Sequence, residues 1–585
     1  MSRLPRPHLP SSLPRPRLRR PHLPSRLQRS RLPSRRPRPR LPTGRPRFPP
    51  DRRRAAALAP IGLVALVVVL VVVLVLLLSG GGSSQAGPAT GAAAIVPADA
   101  LAYVHVSVDS NRPAVQQALS LAARFPDYPV ISATVQTRLG AIVSGSGSAR
   151  FAQQVKPWLG SEAALALLNT PTSTAGSLIV LDVRDRRGAQ AFVTRAGAAA
   201  AGSYRGTTLL RYSSSGTELA FVSHYMVLGQ DSSVRAAIDV ASGHAPSLQR
   251  NPVYVRAAAG EPADRVLDAY ASGAGVRRLL APQRGIVGAL GVLLYQPALD
   301  GVTLSLSAAP GGARLRVHSA FDPSLLAVNG PRSTPFTPTL QSAAPSGSIL
   351  MLDLSGLDRI APHVLGAGAA AGLAAQIGPL LHRLGQQLGS EGVDVRQFVS
   401  LFHGETAVAI TPSRGHAPSL SIIARTSDET GAREQLAALQ APLAQAFQRT
   451  AAGEGQVPVF NDRQIGAVTA HQLSLAPGLE LDYAVSNGLV VISTNLDAVA
   501  AVLAHTRSLT GDAGYRATLP GSPPRVTSLL FLDFTQLLSL GEQTGLTRGA
   551  RYRALRADLF KVRAVGLQST HGEADSTAEL FLQIP

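Results

Sequence analysis

The sequence predicts an α+β protein: two tandem, similar modules of mainly antiparallel sheet with helices on one face, preceded by one transmembrane helix. Three observations carry that expectation. Apolar strands follow one another through short turns, which favours antiparallel pairing over helical crossovers. Ordered sequence matches recur along the chain at two steady offsets. One long apolar run, flanked by arginines, stands ahead of them all.

The chain has 585 residues and a formal charge of +21, most of it at the start. Residues 1–54 hold 18 Arg, 14 Pro and one acid, Asp51, and so carry +17 of that charge. Proline lacks a backbone donor and like charges repel, so this tail is expected to be disordered. Its charge suits anionic lipid head groups. Phe48 is its one aromatic, too little stacking surface for specific nucleic acid recognition.

Residues 55–78 follow, with Ile61 to Leu78 apolar apart from Gly62. As a helix, the 24 residues would reach about 36 Å, enough to cross a hydrocarbon core of roughly 30 Å. Arg52, Arg53 and Arg54 precede the run, and Ser79-Gly-Gly-Gly-Ser-Ser follows it. The positive-inside rule then places the N-terminus in the cytoplasm and the modules outside the cytoplasmic membrane. The run exceeds the roughly 7–15 apolar residues of a cleaved signal peptide, so a single-pass signal anchor in the bilayer is expected. Residues 79–94, rich in Gly, Ser and Ala, read as a flexible stalk.

The modules are expected at 95–322 and 343–585, joined by a Pro/Ser-rich linker at 323–342. Pro97-Ala-Asp-Ala-Leu-Ala-Tyr-Val-His-Val-Ser-Val-Asp109 resembles Pro345-Ser-Gly-Ser-Ile-Leu-Met-Leu-Asp-Leu-Ser355. Trp158-Leu-Gly160-Ser-Glu162 matches Leu401-Phe-His-Gly404-Glu405, with the glutamates 243 residues apart. Gly188-Ala189 and Gly431-Ala432 keep the same offset, each after an acidic turn that opens a helix. After a gain of about 20 residues near Gln440–Asn461, the offset is 263 for Val222 with Val485 and for Val302 with Val565. Tyr103 to Asp109 alternates like a half-buried strand, and Asn111-Arg-Pro113 supplies a cap and an early proline. The closing hairpins turn at Ala309-Pro-Gly-Gly312 and around Gly572.

A proline-led first strand, a Trp-Leu-Gly-x-Glu-x-Ala corner and an anchor ahead of both resemble a bacterial family of membrane-anchored or exported proteins. That family is a domain of unknown function, DUF3352 type. The resemblance spans about 95–585. It implies an architecture and an envelope location, and no activity.

Trp158, Gly160, Glu162, Gly404 and Glu405 are the best-marked positions. A duplicated carboxylate can act as acid or base, which would make the protein an envelope hydrolase or transferase using Glu162 or Glu405. The same carboxylate can instead accept backbone N–H groups at a strand corner, and no partner at motif spacing favours catalysis. Trp158 reads as a core anchor. Gly366-Ala-Gly368-Ala-Ala-Ala-Gly372 sits in an Ala/Gly-rich helical stretch rather than after a strand, so it reads as helix packing and not as a dinucleotide loop. Zero Cys excludes disulfides, thiolate metal sites and a Cys nucleophile. The thirteen His form no metal-binding motif. No cofactor and no catalysis are expected. The expected function is an extracytoplasmic binding or scaffolding domain whose envelope ligand or partner the sequence does not name. The rival readings are the hydrolase and an arm that tethers lipid or nucleic acid.

Overall fold

Val-, Leu- and Ala-rich segments closed off by Gly, Ser and Asn become strands, and nearly all pair with their immediate sequence neighbours. A computed structural model describes residues 90–145, 150–170, 175–280, 297–326, 334–357, 400–413, 417–446, 458–476, 479–520, 525–545, 547 and 549–585. The expected tail at 1–54, the anchor at 55–78, most of the stalk and the Gly366–Gly372 stretch lie outside these residues. Among the described residues, no helix is long and apolar enough to cross a membrane.

The first ten strands are β1 (Ala102–Ser107), β2 (Leu159–Leu168), β3 (Gly176–Val183), β4 (Ala198–Tyr204), β5 (Thr207–Tyr212), β6 (Glu218–Val222), β7 (Tyr225–Gly229), β8 (Leu267–Ser272), β9 (Leu299–Ala309) and β10 (Gly312–Phe321). They are followed by β11 (Leu350–Ser355), β12 (Glu405–Thr411), β13 (Ser419–Arg425), β14 (Asn461–Ile465), β15 (Val468–Ala476), β16 (Leu479–Ser486), β17 (Leu489–Ser493), β18 (Ser528–Asp533), β19 (Ala564–His571) and β20 (Asp575–Gln583). Pairing runs β4-β5-β6-β7-β3-β2-β1-β8-β9-β10 through the first half. The second half takes the same order, β14-β15-β16-β17-β13-β12-β11-β18-β19-β20. All these pairs are antiparallel.

The halves are not separate sheets. β10 pairs with β20 from Gly312↔Gln583 to Ala320↔Asp575, so among the described residues one twenty-stranded sheet runs through both. Arg316 faces Glu579 at the midpoint of that ladder. The outer strands are β4, whose Ala-Ala-Ala-Ala-Gly-Ser-Tyr is largely exposed, and the polar β14.

Helices cover both faces of the sheet rather than the one face expected. In the first half, Val106, Leu181 and Met226 pack with Val115 and Phe192 from the helices Pro113–Ala122 and Arg186–Arg195. Tyr103, Val180 and Val227 point the other way, toward Ile238 of Asp231–Ala241 and Ala257 of Pro252–Ala257. The second half likewise has two cores, one under Leu496–Ala504 and one under Glu429–Ala446. Asp185 and Asp428 each accept the amide of the glycine three residues on, at 3.0 and 2.8 Å, which caps the helices at the predicted Gly188 and Gly431.

Two expected connectors are core elements where they are described. The end of the stalk is a 3-10 helix, Gly91–Ala94, with Ala92 and Ala93 buried. The end of the linker is another, Leu340–Ser342, with Leu340 fully buried, and Phe336 bridges to Val526. Small or apolar residues there let the chain dock on the sheet before the first strand of each half. Leu340→Ala is therefore expected to cost about 2–5 kcal/mol in urea denaturation. Leu325→Ala, at an exposed site, should stay within about 0.5 kcal/mol.

Candidate functional site

Alternation along β1 sends Val104 and Val106 to one face and Tyr103, His105 and Ser107 to the other. β1 is an interior strand, so His105 is fully buried between its neighbours. β8 places Asp268 directly opposite His105, and β2 places Glu162 opposite Ser107. All three side chains share one face beneath the second helical layer.

The cluster is held at both ends. His105 Nδ1 lies 2.9 Å from Asp268 Oδ1, and Nε2 lies 3.2 Å from Glu162 Oε2, an ion-pair contact off the hydrogen-bond axis. The Tyr225 hydroxyl donates to Glu162 Oε1 at 2.6 Å. Arg265 Nε stands 3.0 Å from both Asp268 Oδ1 and Glu261 Oε2. Arg112 fixes this loop by donating to the carbonyls of Ala263 and Arg265.

Burial works against charge on His105, but Asp268 and then Glu162 outweigh it and push its pKa up to about 9. Burial would also raise both carboxyls; the bond to His105 holds Glu162 below its ordinary value, and the charge of His105 does so for Asp268. Glu261 differs, because burial and then Asp268 push it up to about 7 against the pull of Arg265. A protonated His105 between two carboxylates is the state this geometry favours.

The loop bearing Glu261 and Arg265 forms one wall of a groove of about 380 Å³ at the seam between the halves. Arg314 and Arg316 of β10 and Glu579 and Phe581 of β20 lie on its floor, beside Gln568. Ala517 to Pro520 form the far wall, and Pro262 the near one. Arg316 Nη1 donates to Gly260 at 2.9 Å, tying the floor to the loop.

The residues singled out from sequence fall in two places. Trp158 is buried against Phe192, with its indole N–H donating to Gln154. A Cβ on Gly160 would collide with Asp182, which accepts both the amide and the hydroxyl of Ser161. Glu162 belongs to the buried cluster. Glu405 lies nine strands away and accepts the Leu340 amide at 2.8 Å, the Thr339 amide, and the Thr339 hydroxyl at 2.5 Å. It thereby caps the 3-10 helix ahead of its own half. Gly404 precedes it, and a Cβ there would come within 3.3 Å of the Arg425 carbonyl oxygen. His403 turns to the Ser400 carbonyl and stays exposed. In β11, Asp353 occupies the register position of His105, opposite the residue two before the end of the strand ladder; its carboxyl is fully buried and pushed up to about 9 by burial and then by Glu405.

No motif or spacing in the sequence marks His105, Asp268, Tyr225, Arg265 or Glu261. Their signal was a histidine and an aspartate within otherwise apolar strands, a pattern that also fits a wet sheet face. Among the described residues, no group of three or more His, Cys, Asp or Glu is placed to hold a metal.

The architecture is that of an antiparallel α+β protein with a buried charge cluster behind a seam groove. The chain belongs to the family described as Protein of unknown function (DUF3352), whose model matches residues 60–584. No curated protein matches it. Three crystal forms of TP0453 show a distant likeness. Form IV has 13% identity over 40% of this chain and 83% of that one, at a TM-score of 0.23. Form I has 10% identity over 39% and 77%, and form III 12% over 42% and 88%, both at a TM-score of 0.24. Likeness at this level assigns neither fold nor function.

His105→Ala removes the cation shared by two buried carboxylates and leaves Arg265 to Asp268 alone, so a loss of about 3–5 kcal/mol is expected in urea denaturation. His403→Ala should stay within about 0.5 kcal/mol. The pH dependence has a definite sign. A raised His105 contributes its stability in full below about pH 6.5 and loses it as pH climbs through about 9. Glu261 acts in the same direction, its contribution lost as pH rises from about 4.5 through about 7. The urea midpoint should therefore fall between pH 5 and pH 9, and Glu261→Gln should flatten the lower part of that fall.

Proposed function

We propose that the chain is a non-catalytic binding protein of the cell envelope, held at the cytoplasmic membrane by residues 55–78. In this reading both halves lie outside the membrane and the seam groove takes the ligand. The groove carries the proposal. It draws floor and walls from both halves, and at about 380 Å³ it falls within the roughly 300–1,000 Å³ usual for small-molecule sites. The marked glutamates support a structural role instead: Glu405 is spent on backbone amides, and Glu162 is sealed at 2% exposure.

The proposal also makes the halves copies of one ancestral unit. The shared strand order supports this, as do the glutamates at the start of β12 and the matching position of β2. So does the midpoint of the seam, since Arg316 and Glu579 are separated by the same 263 residues that relate Val302 to Val565.

Small molecules extracted from the full chain, purified from its native membrane, should include a species that is absent from an Ala517→Trp variant. Ala517 is exposed on the groove wall, so the added ring fills the groove rather than the core. Identical extracts from both proteins would refute the groove as the ligand site. Protease added to intact spheroplasts should digest residues 95–585; full protection of that part would refute the envelope location.

A further inference from the structure

The chemistry of the groove floor narrows what it accepts. Arg314 and Arg316 stand two residues apart on β10, on the same face, opposite Phe581 and Glu579 of β20. Glu579 is the one acid among the lining residues, which leaves the floor with one net positive charge. That acid only partly meets the arginines. Its Oε1 is 3.9 Å from Arg316 Nη1, beyond hydrogen-bond length, and Gln568 holds its other oxygen at 3.4 Å. Arg316 Nε is buried without an acceptor, and Nη1 is anchored to Gly260. Among the described residues, no hydrogen bond or ion pair engages the side chain of Arg314.

An anchored guanidinium beside an unengaged one makes a pre-placed anion receptor. The surroundings are apolar. Phe581 lies directly across from Arg314, and Leu519, Pro520 and Pro262 close the walls. Cation and apolar surface thus meet at one cross-strand pair.

We infer that the groove binds a single-chain amphiphile with an anionic head, carboxylate or phosphate, the head on Arg314 and Arg316 and the chain along Phe581 and Leu519. This rests on the groove being the ligand site. Removal of Arg314 leaves no buried partner stranded, so its variants should fold normally.

The test uses the full chain in phosphatidylcholine nanodiscs, titrated calorimetrically with octanoate, octyl phosphate, octanol and inorganic phosphate, with empty discs subtracted. Octanoate or octyl phosphate should bind at least tenfold more tightly than octanol and than inorganic phosphate, and the tighter of the two identifies the head group. Arg314→Glu should weaken anion binding at least tenfold without shifting the thermal midpoint, and Arg314→Ala should weaken it less. Octanol binding as well as the anions, or an Arg314→Glu variant that binds them unchanged, would overturn the anionic head while leaving the groove as the site. Inorganic phosphate binding as tightly as octyl phosphate would overturn the apolar half. If Ala517→Trp leaves anion binding intact, or no probe binds, the groove itself is not the site and the inference falls with it.

Discussion

The β10–β20 ladder is the contact on which the architecture depends. Each half contains a complete ten-strand sheet, and without this pairing each would end in a free edge. The ladder removes both edges at once and lays the last strand of each half side by side. Antiparallel pairing fixes the register so that Arg314 meets Phe581 and Arg316 meets Glu579. The groove floor is therefore a direct product of the joint between the halves, and neither half contains it alone.

The charge cluster under the second helical layer ties one groove wall to the centre of the first sheet. An interior strand carrying His105 is tolerated because Asp268 and Glu162 meet both ring nitrogens, and because Arg265 and Tyr225 satisfy the carboxylates in turn. Burying one charge without the others would cost several kcal/mol. The second half meets the same constraint differently. Leu529 stands across from Asp353, where the first half has Asp268 across from His105, and burial with the nearby Glu405 drives the Asp353 carboxyl toward its neutral form.

Much of this was legible in the sequence where the determinants are local. Strand periodicity, the closing hairpins, the Asp-capped helices at Gly188 and Gly431, and the family all rest on short segments. The second helical layer was not legible, for a physical reason. Tyr103, His105 and Ser107 read as the polar side of a half-wet strand, and their burial depends on Asp231–Ala241 and Pro252–Ala257, more than a hundred residues on. The same long-range docking hid Ala92 within an apparent stalk and Leu340 within an apparent linker. Glu162 stood out by repetition. Its partners did not, because register across five strands, β7 to β8, brings them together.

Among the described residues the sheet of twenty strands still has two rims, and these are guarded by different means. Along β14, Asp462 and Arg463 set charges at the margin, which discourages another strand from adding there. β4 has no charge at all; its safeguard is the irregularity at Gly202, where φ is +133° and the pairing with β5 slips between Ala200 and Gly202. One margin thus relies on electrostatics, which salt weakens, and the other on a kink in the backbone, which salt does not touch. Ionic strength is therefore a lever on the stickiness of one end of the molecule and not of the other.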